Sequence, residues 1–308
     1  MKKFISLIIA LVCMFSLFAC EGGGVSKTIR ELTPSGEEIQ AEDMRTLVAE
    51  RQETYLEEDL AKAEESKDKW FDMEVKMSVL MEENEAVSEV FYKIDGKIGF
   101  VDMSELVMDL DVVLEAKDVS YAEDGSEVVV TAKINGTLIM VDGMAYIDVT
   151  SKEVGPDGEK EEHVKQMGEL EEVFDYMEIE DILSLIGDPT DDEGSIYGVN
   201  VNGILDMVAG SVGVTYYAED DKIFIDARET MEESGIKTES VIQYAVEYKR
   251  NSAIVKSTKV YMRNYLESSY DDGVETFSSI MDMKIGMQVK QIASANVSAP
   301  NTEGYEKI

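Results

Sequence analysis

The chain has 308 residues with a formal net charge of −37 at pH 7; 44% of its residues are hydrophobic and 30% are charged. Nucleic acids and anionic lipid headgroups are bound through clustered Lys and Arg, so we expect neither as a direct partner of so acidic a surface. The hydrophobic fraction is too high for a disordered chain, so we expect a folded protein.

The N-terminus has the layout of an export signal. Two lysines precede an apolar run over 4–19, which ends at Cys20. This run is shorter than the roughly 20 apolar residues that cross a bilayer comfortably, which favours a cleaved signal peptide at 1–20 over a transmembrane helix. Cys13 would leave with the signal, so Cys20 would have no partner for a disulfide.

The four residues that end at this cysteine, LFAC at 17–20, resemble the lipobox of bacterial lipoproteins. The resemblance implies that the sulfur of Cys20 receives a diacylglyceryl group. Acyl chains such as palmitate would then anchor the exported protein to the outer face of the bacterial cell membrane. Residues 21–41, which include the glycines at 22–24, have the composition of a flexible acidic linker between this anchor and a folded domain.

Helical and then strand periodicity follow the linker. Between 41 and about 69, apolar residues recur every three or four positions among many charges, which predicts an amphipathic helix. From 71 to 81 every second residue is apolar and most of the residues between them are polar. This alternation predicts a long strand with one apolar face.

Three dipeptides predict tight hairpin turns, because each can adopt the two positive φ angles of a type I′ turn. They are Asp95-Gly96, Asn135-Gly136 and Asp142-Gly143. The last two turns would place Ile139 opposite both Ala132 and Tyr146. The strand 137–141 would carry apolar side chains on both faces, so we expect both faces to be covered.

The second half of the chain repeats the order of helix and then strands. Helical spacing returns between 164 and 186, and a shorter helix is predicted near 202–209. Strands follow, and the clearest of them, at 281–289, alternates apolar and mostly polar residues. We expect helices on one side of an antiparallel meander.

This order of elements predicts an α+β fold, with a long antiparallel sheet curved into a half-barrel and backed by a few helices. We expect a single helix-plus-sheet domain at 42–295. Its parts 42–150 and 160–292 are candidates for a distant repeat. A polar tail follows at 296–308.

A lipid-anchored chain with a helix, long strands, a helical insertion and further strands resembles the LolA-like group, which includes the mycobacterial LppX and LprG lipoproteins. The resemblance covers most of 42–292 and carries over no individual binding residue. It implies an antiparallel sheet closed by helices around an apolar cavity that holds lipid or acyl chains.

Methionine-rich strand faces are the feature nearest to a binding signal, because Met suits adaptable apolar pockets. Core packing is the competing explanation for each of these side chains. The candidate cavity lining consists of Met73, Met77, Met140, Tyr244, Tyr248, Met281, Met283, Ile285 and Met287.

The catalytic motifs that we sought are incomplete. The single histidine, His163, lies in the charged stretch EKEEHVKQ, where a solvated helix start is the simpler explanation than a catalytic base. AGSVG at 209–213 lacks the first glycine of a nucleophile elbow. The S-x-x-K matches at 66–69 and 234–237 have no companion motif. We therefore expect no enzymatic activity.

Metal and cofactor sites are predicted to be absent. One histidine and one cysteine in the mature chain cannot form a zinc site. Acidic loops at 188–194 and 269–273 cluster oxygen ligands, but neither follows the spacing of a calcium loop.

These observations lead to the hypothesis of a membrane-anchored exported lipoprotein that binds or carries a lipid or acyl ligand noncovalently in an apolar cavity. The alternative is a non-catalytic cell-surface interaction or envelope-assembly lipoprotein with a solid core. An exposed apolar patch without an enclosed void would favour that alternative. A hydrolase would need a cleft in which Ser211 or an acidic pair meets a base.

Overall fold

The computed structural model describes residues 27–65, 68–84, 86–101, 105–122, 125–156, 158–169, 201–209, 213–271 and 276–307, with backbone alone at 60–65, 270, 271, 276 and 277. The elements are, in chain order, β1 (Glu37–Ile39), α1 (Ala41–Glu65), β2 (Lys69–Glu83), β3 (Ala86–Val101), β4 (Glu105–Tyr121), β5 (Glu127–Val141), β6 (Met144–Gly155), β7 (Gly158–Glu169), α2 (Val201–Val208), β8 (Val214–Glu219), β9 (Lys222–Glu233), β10 (Ile236–Tyr248), β11 (Val255–Asp271), β12 (Thr276–Ile292) and β13 (Glu306–Lys307).

The thirteen strands form one sheet, in the order β1-β8-β9-β10-β11-β12-β2-β3-β4-β5-β6-β7-β13. Strand β12 pairs antiparallel with β2 and so joins the two halves of the chain. The predicted α+β class, a half-barrel backed by helices, is wrong. The fold is β-rich, since only two helices accompany thirteen strands in the part of the chain that the structure describes.

One reason for this error is a helix predicted from 164 onward, where the chain is still in β7 (Gly158–Glu169). His163 and Val164 lie on opposite faces of this strand, which pairs with β6 along its whole length. Helical spacing is a weak signal, and strand pairing in the folded chain overrides it here. Residues 170–186 of the predicted helix lie outside the described residues.

Two of the three predicted hairpin turns are also wrong. Gly96 lies inside β3 and Gly136 inside β5, and each pairs with a neighbouring strand on both sides. Gly96 has a φ of 153°, and a Cβ there would collide with the backbone oxygen of Asp109 in β4. This glycine permits a close approach between two strands rather than a turn.

The third turn is confirmed. Asp142 and Gly143 have φ angles of 53° and 72° and connect β5 to β6. Ile139 lies opposite Tyr146, as predicted, whereas Ala132 pairs with Glu153 rather than with Ile139.

The sheet has an apolar face and a charged face, which we define by Met77 and Lys76 of β2, respectively. Directly paired residues share a face, so the register assigns every strand. Two core clusters cover much of the apolar face. The helix core contains Met44, Val48, Val201, Ile204, Leu205, Val208, Tyr216, Ile223, Ile225, Ala227, Tyr244, Val246, Tyr248, Val255 and Val260. The meander core contains Phe71, Ile98, Phe100, Leu106, Met108, Leu110, Met140, Ala145 and Ile147.

Helix α1 was predicted at 41–69 and is confirmed at Ala41–Glu65, and α2 is confirmed near its predicted position. Met44 and Val48 bury the apolar side of α1 in the helix core. Asp59, which is 4% exposed, accepts hydrogen bonds from Ser252 Oγ (2.8 Å) and the Ala253 backbone N–H (2.7 Å). These bonds join α1 to the turn between β10 and β11.

The two terminal segments cross the charged face and cap the edges of the sheet. Residues 27–36 lead into β1, which pairs with β8. Val297 and Tyr305 pack near Val141 in a further apolar cluster, and the chain then adds β13 to β7. Capped edges leave fewer backbone groups free for pairing with other chains.

Because Met140 belongs to the meander core on the opposite face, the prediction that 137–141 is covered on both sides is confirmed.

Candidate functional site

A strip of apolar side chains runs along the apolar face where the two halves of the sheet meet. The register of β12 and β2 places Met281 opposite Met81 and Ile285 opposite Met77. Alternation along both strands sends every second side chain to this face. We call the following residues the methionine strip: Met73, Val75, Met77, Val79 and Met81 of β2, and Met281, Met283, Ile285, Met287 and Val289 of β12.

The strip is exposed at one end and packed at the other. Met81 and Met281, at the end of β2 nearest the β2–β3 turn, are 37% and 38% exposed. The other eight side chains are half-buried. Met73 and Val289 pack against the meander core, and Met287 packs against the helix core. The strip is therefore an apolar surface between two packed cores.

Further exposed apolar side chains lie toward the same end of this face. Met231 of β9 and Ile236 of β10 are 53% and 44% exposed, and the register places both on the apolar face. Exposed apolar groups gathered in one region of a surface are typical of binding sites.

Tyrosines add uncharged hydroxyl groups to this face. Tyr92 of β3 lies opposite Met77, and burial raises its pKa to about 12. Burial also raises the pKa of Tyr244, and it raises that of Tyr248 to about 12 although the Arg51 charge opposes the shift. Each phenol stays neutral at physiological pH and provides an apolar ring with a polar tip. Sequence reasoning missed Tyr92, although it alternates in phase with neighbouring apolar residues of β3.

The nine predicted lining residues all lie on the apolar face, but they divide into two groups. Six of them belong to the methionine strip: Met73, Met77, Met281, Met283, Ile285 and Met287. Met140 is 2% exposed within the meander core, and Tyr244 and Tyr248 are 9% and 5% exposed within the helix core. These three side chains pack the interior rather than line an open surface.

Ion pairs connect side chains on the charged face. Asp282 accepts hydrogen bonds from Arg263 Nε (2.8 Å), Arg263 Nη2 (3.2 Å) and Lys284 Nζ (2.7 Å). Burial by itself would raise the pKa of Asp282, but these donors outweigh it and lower that pKa. A lipophilic ligand would have to desolvate such groups without replacing their bonds, so this face is unsuited to it.

The described residues bring together no catalytic group. His163 is exposed on the charged face, where its Nε2 lies 2.6 Å from Oδ1 of Asp148, whose other oxygen lies 2.8 Å from Lys165. Ser234 lies in the β9–β10 turn, and Ser66 and Ser211 lie outside the described residues.

Several predictions fall on residues that the structure does not describe. Cys20, the export signal at 1–20 and the acidic loop at 188–194 are among them, as is part of the loop at 269–273. In the described part of the chain, no group of three or more His, Cys, Asp and Glu side chains could hold a metal ion. No described helix combines the length and the hydrophobicity needed to cross a bilayer.

Comparison with known proteins adds no functional assignment. No protein-family model matches the chain, and no curated protein matches it. The translocator domain of autotransporter NalP from Neisseria meningitidis is similar over 81% of this chain and 98% of its own, with 7% identity and a TM-score of 0.14. Pseudomonas aeruginosa OccK5 is similar over 73% and 98%, with 8% identity and a TM-score of 0.13. Scores this low carry no argument about fold or function.

Proposed function

We propose that the protein is an exported lipoprotein that binds a lipid or other acyl ligand noncovalently along the methionine strip. The observation that carries this proposal is the burial of the strip. Its ten apolar side chains keep partial exposure between two packed cores, although the chain is strongly acidic.

The dimensions of the strip suit an acyl chain. Strand residues rise about 3.3 Å each, so the eight steps from Met281 to Val289 cover about 26 Å. Covering such a surface with an apolar ligand is favourable by about 25 cal/mol per Å² of apolar area removed from water. Methionine side chains are unbranched and flexible, so they can adapt to ligands of different shape.

Polar groups beside the exposed end of the strip suit a headgroup. Asn264 of β11 lies opposite Met283, and its Oδ1 accepts a hydrogen bond from Ser240 Oγ of β10 at 3.1 Å. Asn264 is exposed, so it can also bond to a ligand. A few polar groups at the edge of an apolar surface are the usual means of fixing a ligand's orientation.

The membrane anchor belongs to the same proposal. A diacylglyceryl group on Cys20 would hold the protein beside a bilayer, which is the source of the lipid that the strip would bind. Two acyl chains anchor a protein stably, whereas one chain gives marginal binding.

Two observations favour the alternative of an interaction or envelope-assembly lipoprotein. The strip is an open apolar surface with two exposed methionines at one end, which is the feature expected of such a protein. The meander core is tightly buried, with Met140 at 2% and Ala145 at 1% exposure. That half of the apolar face is a solid core. In this alternative the exposed end of the strip contacts a protein rather than a lipid.

The test measures the lipid that copurifies with the full chain. We would purify wild type, Ile285→Glu and Gln288→Glu, extract each with organic solvent and quantify lipid per mole of protein by mass spectrometry. Gln288 lies on the same strand but on the charged face, so its substitution matches the added charge. Met283→Gln, a change of similar size, is included in case Ile285→Glu does not fold.

We expect noncovalent lipid with wild type and Gln288→Glu, and a loss of it with folded Ile285→Glu or Met283→Gln. Circular dichroism reports the fold of each variant. Equal lipid content in all folded variants, or none in wild type, would overturn the binding proposal and leave the interaction protein as the better explanation.

A further inference from the structure

Residues 27–39, which we call the N-terminal strap, run across the strands on the charged face. Lys27 Nζ lies 2.8 Å from Glu115 Oε2 of β4. Ile29 contacts β12 at Gly286, and the Leu32 backbone N–H donates to Gln243 Oε1 of β10 at 2.8 Å. The strap ends as β1, which pairs with β8.

The length of the strap fits this route. Adjacent strands lie about 4.8 Å apart, so the path from β4 to β10 is about 24 Å. Five extended residues, from Lys27 to Leu32, cover about 17 Å, and the lysine side chain reaches further toward β4.

The strap supplies bonding partners to buried polar groups of the sheet. Glu115 is 3% exposed and is held by Lys27 and by Lys133, each at 2.8 Å. Gln243 is fully buried, and while its Oε1 accepts from the strap, its Nε2 donates to Asp226 Oδ2 at 3.2 Å. Without the strap, the buried carboxylate of Glu115 would lose the ion pair with Lys27, and the buried Oε1 of Gln243 would lose the hydrogen bond from Leu32. Both losses would destabilise the fold.

A glycine in β12 lets the strap lie close to the sheet. Gly286 carries no side chain at a position where a Cβ would lie 3.1 Å from Ile29 Cγ2. Glycine in the interior of a strand often marks a place where another segment approaches closely. A second ion pair, from Arg228 Nη2 to Glu31 Oε2 at 2.6 Å, holds the strap over β9.

We propose that the N-terminal strap holds the charged face of the sheet toward the lipid bilayer. The inference rests on the proposed anchor at Cys20. With the strap bound, only the seven steps from Cys20 to Lys27 separate the lipid from the sheet, which is at most about 25 Å. A free chain up to β1 at residue 37 would reach about 60 Å.

The charges of this face are compatible with a nearby bilayer. Asp282 is neutralised by Arg263 and Lys284, and Glu74 lies 2.7 Å from Lys76. An acid that is paired with a base repels an anionic headgroup less than an unpaired acid does. This matters for charges that lie within a Debye length, about 8 Å, of the bilayer. The apolar face, on the other side of the sheet, then points away from the anchor.

The test measures energy transfer from a labelled full chain to a fluorescent acceptor lipid. The lipidated protein is placed in phosphatidylcholine–phosphatidylglycerol vesicles that contain rhodamine-labelled lipid. One donor is attached through Lys290→Cys on the charged face and another, in a separate protein, through Glu53→Cys on α1; both positions are exposed. The strap is released by combining Lys27→Glu with Gly286→Leu.

Arg30→Glu is the matched control. It makes the same charge reversal on the same strap, but Arg30 forms no ion pair with the residues that the structure describes. We expect higher transfer from position 290 than from position 53, a loss of this difference in the released variant, and its retention in Arg30→Glu.

Equal transfer from both positions in wild type would overturn the orientation, as would a difference that survives release of the strap. Failure of the wild-type chain to float with the vesicles would instead refute the anchor at Cys20, and with it this inference. Flotation is read before energy transfer, so the two failures are distinguishable.

Discussion

Single side chains on the apolar face differ in burial. Met140 lies in the run TLIMV at 137–141, whereas Met283 alternates with Asp282 and Lys284. Met140 is 2% exposed in the meander core, whereas Met283 is half-buried in the methionine strip. Alternation could predict the face of each methionine. Alternation alone could not predict burial, because burial depends on which other elements cover that part of the sheet. For Met140 the additional signal is the presence of apolar residues on both faces of 137–141.

This difference predicts unequal costs for the same substitution. Met140→Ala should lower the free energy of unfolding by about 2–5 kcal/mol, because it leaves a cavity in a packed core. Met283→Ala should cost less, since its side chain is already partly hydrated, but it should reduce the copurified lipid. Urea denaturation and lipid extraction of both variants check this. A larger stability loss for Met283→Ala would contradict the assignment of the two groups.

The pair of Lys27 and Glu115 predicts a pH dependence. Burial alone would raise the pKa of Glu115, but hydrogen bonds from Lys133 and Lys27 outweigh it and hold that pKa below its ordinary value of 4.5. A carboxyl with a depressed folded pKa stabilises the fold above its unfolded pKa, and the gain is lost as pH falls through the folded pKa. Lys27 and Glu115 line a pocket on the charged face, and the other charged side chains that line it are Glu89, Lys117, Asp282 and Lys284.

We therefore expect Lys27→Met to lower the free energy of unfolding at pH 7, by on the order of 1 kcal/mol because Lys27 is half exposed. The difference from wild type should shrink as pH falls below about 4.5. Urea denaturation at several pH values measures it, with Glu115→Gln as the background in which the effect of Lys27→Met should not vary with pH. A difference that is constant with pH in the wild-type background would contradict this role of Glu115.

At the scale of elements, the phase of apolar alternation distinguishes a turn from a continuous strand. Ile94, Gly96 and Ile98 share a face, so the alternation passes through the glycine without interruption. Across a two-residue turn the phase shifts instead, as between Val141 and Met144, which pair with each other. This signal is present in the sequence, and in β3 and β5 it outweighs the preference of Asp-Gly and Asn-Gly for a tight turn.

Hydrogen exchange tests the continuity of these strands. Backbone amides at 95–97 and 135–137 should exchange as slowly as the rest of β3 and β5, because both strands are paired on each side. The amides of Asp142 and Gly143 should exchange fast. Exchange at 95–97 as fast as at 142–143 would show that β3 is two strands joined by a turn.

The helices and long strands could be predicted where local pattern and packing agree. Strands β2 and β12 alternate strongly along one face, and α1 carries a weaker helical pattern; all three lie where their patterns predict them. Strand β7 could not be predicted, because its charged residues have no alternating pattern and its structure depends on pairing with β6. The strap was missed for a related reason, since its contacts are with residues far away in sequence.

At the scale of the whole molecule, the pairing of β12 with β2 forms a seam between the two halves of the sheet, and the two terminal segments cover its edges. The seam between β12 and β2 joins the halves and carries the methionine strip on the apolar face. On the charged face, the N-terminal strap crosses toward β8 and the C-terminal segment toward β7, and each adds a short strand to an edge. The two proposals therefore place ligand binding and membrane attachment on opposite faces of the sheet.

The anchor is tested by substitution of the proposed lipidation site. Cys20→Ser should abolish incorporation of labelled palmitate into the chain in bacterial cells, because the thioether cannot form. Cys13→Ser is the matched control and should leave labelling intact. Palmitate incorporation that persists in Cys20→Ser would place the lipid elsewhere or refute the lipoprotein assignment.

The most direct test of ligand binding compares native and denaturing mass spectra of the full wild-type chain purified in detergent. A covalent anchor contributes mass in both spectra, whereas a noncovalent ligand contributes mass only in the native one. We expect a discrete lipid-sized difference between the two spectra, which is lost in Ile285→Glu. Identical masses in both spectra, with no uptake when phospholipid is added, would contradict the assignment of the methionine strip as a lipid-binding site.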